Sequence, residues 1–168
     1  MTSKDKGNSF ERKISKTLSD RFKEKTGVPM AFRRNIDSGS FFGGSNQKRT
    51  KLFNLETACF GDIMCPSNFS FSIECKHYKT APTFSMVVSG NNKQWDTWLK
   101  QARQDSENSK KKFMLIVKYN GIPEIVFVED EYQGVESILT YKDVSVYKLE
   151  DFLTLSDNEF FDSEETSE

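Results

Sequence analysis

"GDIMCPSNFSFSIECKHY", residues Gly61 to Tyr78, is the stretch whose reading decides the fold. Two runs rich in β-formers flank Pro66-Ser67-Asn68, a short polar break with turn chemistry, so they read as the strands of a hairpin. With pairing symmetric about Asn68, Asp62 lies directly opposite Glu74, their Cβ atoms roughly 4.5 to 5.5 Å apart. Side chains two apart on a strand share a face, which brings Lys76 to the same side. Two opposed carboxylates repel unless a cation lies between them. Hard divalent cations such as Mg²⁺ take oxygen ligands and keep several waters. A neighbouring lysine can polarise one of those waters or neutralise charge that develops in a transition state. In this register the stretch is a metal-assisted hydrolytic site. A slip of one residue would carry Glu74 and Lys76 to the other face. The plainer alternative is a half-exposed hairpin with an ordinary Glu-Lys alternation, because E-x-K alone recurs by chance.

Around the hairpin, Phe10, Ile14, Leu18 and Phe22 recur at helical spacing and predict a first helix over roughly residues 9 to 25. Asn8 and Glu11 have the spacing of a capping box, and Gly27 and Pro29 mark the end. "MAFRRNI" reads as a first strand, and "DSGSFFGGSNQKRTK", rich in Gly and Ser, as a long loop. "APTFSMVVSG" is ambiguous. "NKQWDTWLKQARQDSENSKKK" predicts a helix with Trp95, Trp98, Leu99 and Ala102 on one side. "FMLIVKYNGIPEIVFVED" reads as two apolar strands joined at Asn120-Gly121. "SVYKLEDFLTL" adds a late strand and a short helix. The order α-β-β-β-α-β-β predicts an α/β (α+β) domain, a mixed sheet flanked by helices, over residues 1–155. Residues 156–168 are expected to form an acidic, flexible tail.

The chain has 168 residues, 29% of them charged, and no apolar run long enough to span a membrane. Three cysteines and no signal-peptide segment fit a reducing cytoplasm. The net charge of -1 conceals an asymmetry. Residues 1–51 carry 13 Lys and Arg against 5 Asp and Glu, residues 52–120 carry 9 against 6, and residues 121–168 carry 2 against 14. A basic front points to a polyanion partner, and the acidic back is expected to compete with it. A solvated surface with a solubility tail would show the same split.

Asp62 followed by Glu74-Cys75-Lys76 resembles the signature of the PD-(D/E)xK nuclease superfamily. Glu11 on the first helix, "FRRNIDSGS", and a helix carrying Gln101 before an apolar strand are similar to archaeal-type and phage Holliday-junction resolvases. The likeness covers roughly residues 7 to 128. Gly61 stands where the signature has proline, and the loop between Ser40 and Phe60 departs in length. The resemblance implies a restriction-endonuclease-like core and a metal, Mg²⁺ with Mn²⁺ as substitute, held by Asp62, Glu74 and the Cys75 carbonyl. It implies that Lys76 assists the attacking water, that Glu11 reaches the metal directly or through water, and that Gln101 belongs to the site. It further implies a structure-specific endonuclease acting on branched DNA as a homodimer. The rivals are a restriction-type nuclease, a single-strand or end-processing nuclease, or a non-catalytic DNA-binding protein on the same fold.

Arg33, Arg34, Ser38, Lys48, Arg49 and Lys51 are candidate DNA contacts. Phe41 and Phe42 are candidates for stacking on unpaired bases or wedging a branch point. Burial of the two rings by a folded-back loop is the competing reading. Glu11 could be only a helix cap, and Gln101 only a good helix former. Cys59, Cys65, Cys75 and His77 fall on the face opposite Asp62, too spread along the strands to gather one zinc, so packing is their expected use. No P-loop, dinucleotide fingerprint or Ser/His/Asp triad is present, so no nucleotide cofactor is expected.

Overall fold

The computed structural model describes residues 3–35 and 60–162. Ser38, Phe41, Phe42, Lys48, Arg49, Lys51 and Cys59 lie outside the described residues, as do residues 163–168.

Helix α1 (Ser3–Arg21) leads into the short α2 (Lys23–Thr26). Phe10, Ile14, Leu18 and Phe22 are all buried, so the predicted apolar stripe is the packed face. The helix starts earlier than expected, and Asn8 therefore sits inside it instead of capping it. Strands β1 (Arg33–Arg34) and β2 (Ile63–Met64) form the edge of the sheet, and β3 (Phe71–Tyr78) follows. The turn between β2 and β3 closes with the Phe69 amide donating to the Pro66 carbonyl at 3.0 Å. The Lys111 ammonium pins the same turn, donating to the carbonyls of Ser67 at 3.0 Å and Phe69 at 2.6 Å.

The ambiguous segment is a five-residue helix, α3 (Phe84–Val88). Helix α4 (Lys93–Ser109) is capped by the Asn92 side chain, which accepts from the amides of Gln94 and Trp95. It buries Trp95, Trp98, Leu99 and Ala102. After α4 come β4 (Lys112–Tyr119), β5 (Ile125–Val128), β6 (Leu139–Tyr141), β7 (Val144–Lys148) and α5 (Leu149–Phe152). Strand β6 is an addition to the expected order. Its three residues offer too short an alternation to read from sequence.

The seven strands lie in the order β1-β2-β3-β4-β5-β7-β6. All neighbours are antiparallel except β3 and β4, which α4 joins as a parallel crossover. The sheet is therefore mixed and flanked by helices, an α+β architecture with a restriction-endonuclease-like core, as expected. One core lies between the sheet and α1 and includes Ile73, Cys75 and Ile116. The other lies under α4 and includes Leu115, Val117 and Tyr119.

The expected boundary at residue 155 is corrected. Asp157–Glu159 form a 3₁₀ turn, and Phe160 and Phe161 are buried beside Phe22 and Phe69. Acidic neighbours hid two core residues, and the packed chain runs through Asp162, whose amide donates to the Asn68 carbonyl.

Candidate active site

Strand register places the site. Ile63 pairs with Ile73, the register expected for a hairpin centred on Asn68, so Asp62 and Glu74 stand opposite each other. Glu74 pairs with Leu115 and Lys76 with Val117, both in the core under α4, so these side chains face α4.

The start of β2 is tightly built. The Asp62 amide donates to the Ile73 carbonyl at 2.7 Å, and the Asn35 amide donates to the Asp62 carbonyl at 2.8 Å. Gly61 has φ +78°, and a Cβ there would lie 2.5 Å from the Ile73 carbonyl oxygen. Proline, locked near φ −65°, cannot adopt that backbone.

The Cys75 amide donates to Asp62 Oδ2 at 2.8 Å. In an extended strand the carbonyl of a residue opens to the same side as its amide, so the Cys75 carbonyl faces the same edge. Glu74 is buried, and its Oε2 accepts from Lys76 Nζ and from Gln101 Nε2, each at 3.0 Å. Asp105, one turn beyond Gln101 on α4, lies close enough to the Glu74 carboxyl to add to the rise of its pKa. Sequence reasoning missed Asp105. The only signal was its i+4 spacing from Gln101 on the same helix face.

Burial, then the Asp62 charge and the Asp105 contact, push the Glu74 carboxyl up to about 8, against the pull of Lys76. Burial draws the Lys76 ammonium down, but Glu74 and Asp62 outweigh it and hold its pKa above the ordinary value. Lys76 therefore stays protonated at neutral pH. As an ammonium it can neutralise developing charge.

The donor set fits a hard divalent cation. Two carboxyl groups and a backbone carbonyl supply oxygen, and burial together with the facing Asp62 charge raises the Glu74 pKa, a penalty that a cation between the two would relieve. The Ser72 hydroxyl, on the same face, is buried without a hydrogen-bond partner among the described residues. No three His, Cys, Asp or Glu side chains among the described residues converge as a ligand cage. Magnesium sites commonly have this open form, completed by waters and substrate phosphate.

Glu11 lies across the sheet from Glu74 and Lys76, and its charge, after burial and the charges of Asp62 and Glu74, helps raise the Cys75 thiol pKa. It packs on the α1 side of the sheet, ion-paired to Arg34, whose other nitrogen donates to Asn8 Oδ1 at 2.6 Å. It is not a capping residue, since the helix begins eight residues earlier. Arg33 donates to the Met30 carbonyl at 3.1 Å. Both arginines lie at the sheet edge on β1, next to β2. Cys75 is buried in the core, and burial pushes the Cys65 thiol up to about 12, so both act as packing residues. His77 packs on Phe10 and contacts Asn120 at 3.2 Å.

No curated protein and no solved structure matches the chain. A family model described as "Phage putative PDDEXK endonuclease" matches residues 2–162, which takes in α1, the hairpin, α4 and the sheet through the packed C-terminal segment. A buried E-x-K strand opposite an aspartate, inside a match of nearly the whole chain, means that this protein belongs to that PD-(D/E)xK nuclease family.

Proposed function

We propose that the protein is a Mg²⁺-dependent, structure-specific endonuclease that hydrolyses phosphodiester bonds in branched DNA, in the manner of a Holliday-junction resolvase. The observation that carries the nuclease chemistry is Glu74, held by Lys76 and Gln101 on the face it shares with Asp62. Asp62, Glu74 and the Cys75 carbonyl would hold the cation. When bound, the cation supplies an acidified water and a charge clamp on the phosphate. Lys76, as an ammonium, stabilises charge gathering on the phosphoryl oxygens. Gln101 fixes the rotamer of Glu74, so the carboxylate meets the ion without reorganising. Mn²⁺ offers similar oxygen-seeking chemistry and should substitute.

Branched DNA as substrate is supported by the resemblance of the motifs and by the basic first two-thirds of the chain. Arg33 and Arg34 would meet phosphates, together with Ser38, Phe41, Phe42, Lys48, Arg49 and Lys51. Glu11 would come to the metal, directly or through water, only by exchanging its Arg34 partner. Two cuts across a junction call for two sites, hence a homodimer. The exposed Phe84, Met86 and Val88 of α3 are the apolar surface we assign to that contact, and sedimentation would report it. The place of action is the cytoplasm, that of the host for a phage-encoded chain.

The test is cleavage of a labelled four-way junction against matched linear duplex, in Mg²⁺ and in EDTA, with wild type and Asp62→Asn. Paired, Mg²⁺-dependent nicks across the branch point, lost in the variant, are expected. Equal cutting of linear duplex would move the function to a restriction-type nuclease, and cutting of single strands or ends to a processing nuclease. Tight binding without cutting would leave a DNA-binding module on a nuclease fold.

A further inference from the structure

Along β3 the side chains that face α4 run Ser72, Glu74, Lys76, Tyr78. From Glu74 onward exposure rises along this row. The Glu74 side chain is 3% exposed, that of Lys76 19%, and Tyr78 as a residue 45%. The row thus runs from a buried carboxyl group to a solvent-facing aromatic ring. Exposed apolar residues elsewhere, such as Met30, Ile122 and Ile138, lie off this row. Tyr78 ends β3 on the catalytic face.

Its ring is held from behind. Trp98 of α4 is buried, and its ring centroid lies 4.9 Å from that of Tyr78 at an interplanar angle of 50°. Trp98 and Gln101 are neighbours on one helix face. The contacts Tyr78–Trp98 and Gln101–Glu74 therefore run side by side along the same seam. A tyrosine fixed on one side by tryptophan and open on the other is a flat apolar plate of low conformational entropy. It stands two residues past Lys76, about 6.6 Å along the strand. A phosphate at Lys76 would bring the adjoining nucleotide to that plate. Bases inside a duplex already stack on each other, so only an unpaired base could use it.

We infer that Tyr78 is a stacking platform for an unpaired nucleotide flanking the cleaved phosphate, and so a specificity-determining residue for DNA with locally unpaired strands. This deepens the proposed reading of a branched substrate and rests on its placing the phosphate at Lys76.

The test uses the full chain in Ca²⁺, where an oligonucleotide can bind without Mg²⁺-supported turnover. The probe is a single-stranded oligonucleotide carrying 2-aminopurine, and the variants are Tyr78→Phe, Tyr78→Trp and Tyr78→Leu. Leucine keeps an apolar contact on Trp98 but cannot stack, and thermal melts report whether each variant folds. Wild type, Phe and Trp should change the probe fluorescence on binding, whereas Leu should not and should bind about tenfold more weakly. Binding to fully paired linear duplex should be alike in all four. A Leu variant that binds and reports like wild type overturns the inference, as does an equal loss on paired duplex. So does a loss in Phe as large as in Leu, which would assign the role to the hydroxyl. If Leu is unfolded, the Phe and Trp variants still decide, since a dim response in both defeats stacking. The two readings fail separately. A junction cut by paired nicks without any probe response removes the platform and keeps the resolvase. A clear probe response without junction cutting removes the resolvase and keeps the platform.

Discussion

Gln101 Nε2 donates to Glu74 Oε2 at 3.0 Å across the seam between α4 and β3. The bond ties a crossover helix to β3, so the orientation of the Glu74 carboxyl, the proposed metal ligand, depends on a residue of another element. Gln101→Ala should weaken Mn²⁺ or Mg²⁺ affinity and cleavage by about 10- to 100-fold while leaving the melting temperature nearly unchanged. Calorimetric titration of the metal beside a thermal melt checks this. An unchanged affinity would make Gln101 an ordinary helix residue.

Lys76 and Glu74 should not be interchangeable with their near relatives. Lys76→Arg keeps the charge but replaces a compact ammonium with a planar fork, so cleavage should fall by at least tenfold while metal affinity stays close to wild type. Lys76→Met leaves a buried Glu74 without its cation. The metal-free protein should then lose stability at pH 8 more than at pH 5 in urea melts.

The raised Glu74 pKa sets a pH dependence with a definite sign. In the unfolded chain the group ionises near 4.5, and in the fold it keeps its proton up to about 8. Between these values the folded state binds more protons, so metal-free stability should fall as pH rises from about 4.5 to about 8, then level off. Metal affinity should rise over the same window, because binding must displace that proton. Urea melts in EDTA at several pH values should show the slope in wild type and a flatter curve in Glu74→Gln.

Gly61→Ala places a Cβ against the Ile73 carbonyl at φ +78°. The cost should exceed about 1 kcal/mol, because backbone strain and a backbone clash act together. The Asp62 carbonyl and side chain would shift with it. Cleavage should therefore drop more than stability alone explains, as a kcat measured well below the melting transition would reveal.

Phe160→Ala should destabilise by about 3 to 5 kcal/mol, the range for a buried phenylalanine. Ending the chain after Leu155 should cost more than ending it after Asp162. Equal melts for both truncations would contradict the packing of Phe160 and Phe161 against Phe22.

The hairpin that sets Asp62 opposite Glu74 was legible because three kinds of signal coincide in it. Turn chemistry at Pro66–Asn68, β-formers on both sides and a mirrored Asp62–Glu74 pair all demand one register. The stripe of α1 and the Trp95–Ala102 face of α4 were equally plain, since burial enforces their period. Asp105 and Tyr78 were not, because their meaning lies in what α4 places against β3, and no local pattern carries a crossover. Glu11 misled in another way. Its spacing from Asn8 mimics a cap, but the helix extends past both, and a distant arginine on β1 takes the carboxylate. The acidic C-terminal segment hid Phe160 and Phe161 because composition averages over residues that the core distinguishes one by one.

Asp62 and Glu74 belong to segments of unequal permanence. Glu74 lies in the middle of β3, between two cores, whereas Asp62 precedes a two-residue strand that meets β3 at the single register pair Ile63–Ile73. Amide exchange at Glu74 should therefore need global unfolding, but exchange at Asp62 only the detachment of the edge. Dilute denaturant should therefore free that edge while the spectroscopic signature of the protein stays native, and a cation held by Asp62 and Glu74 would act as the rivet of that edge.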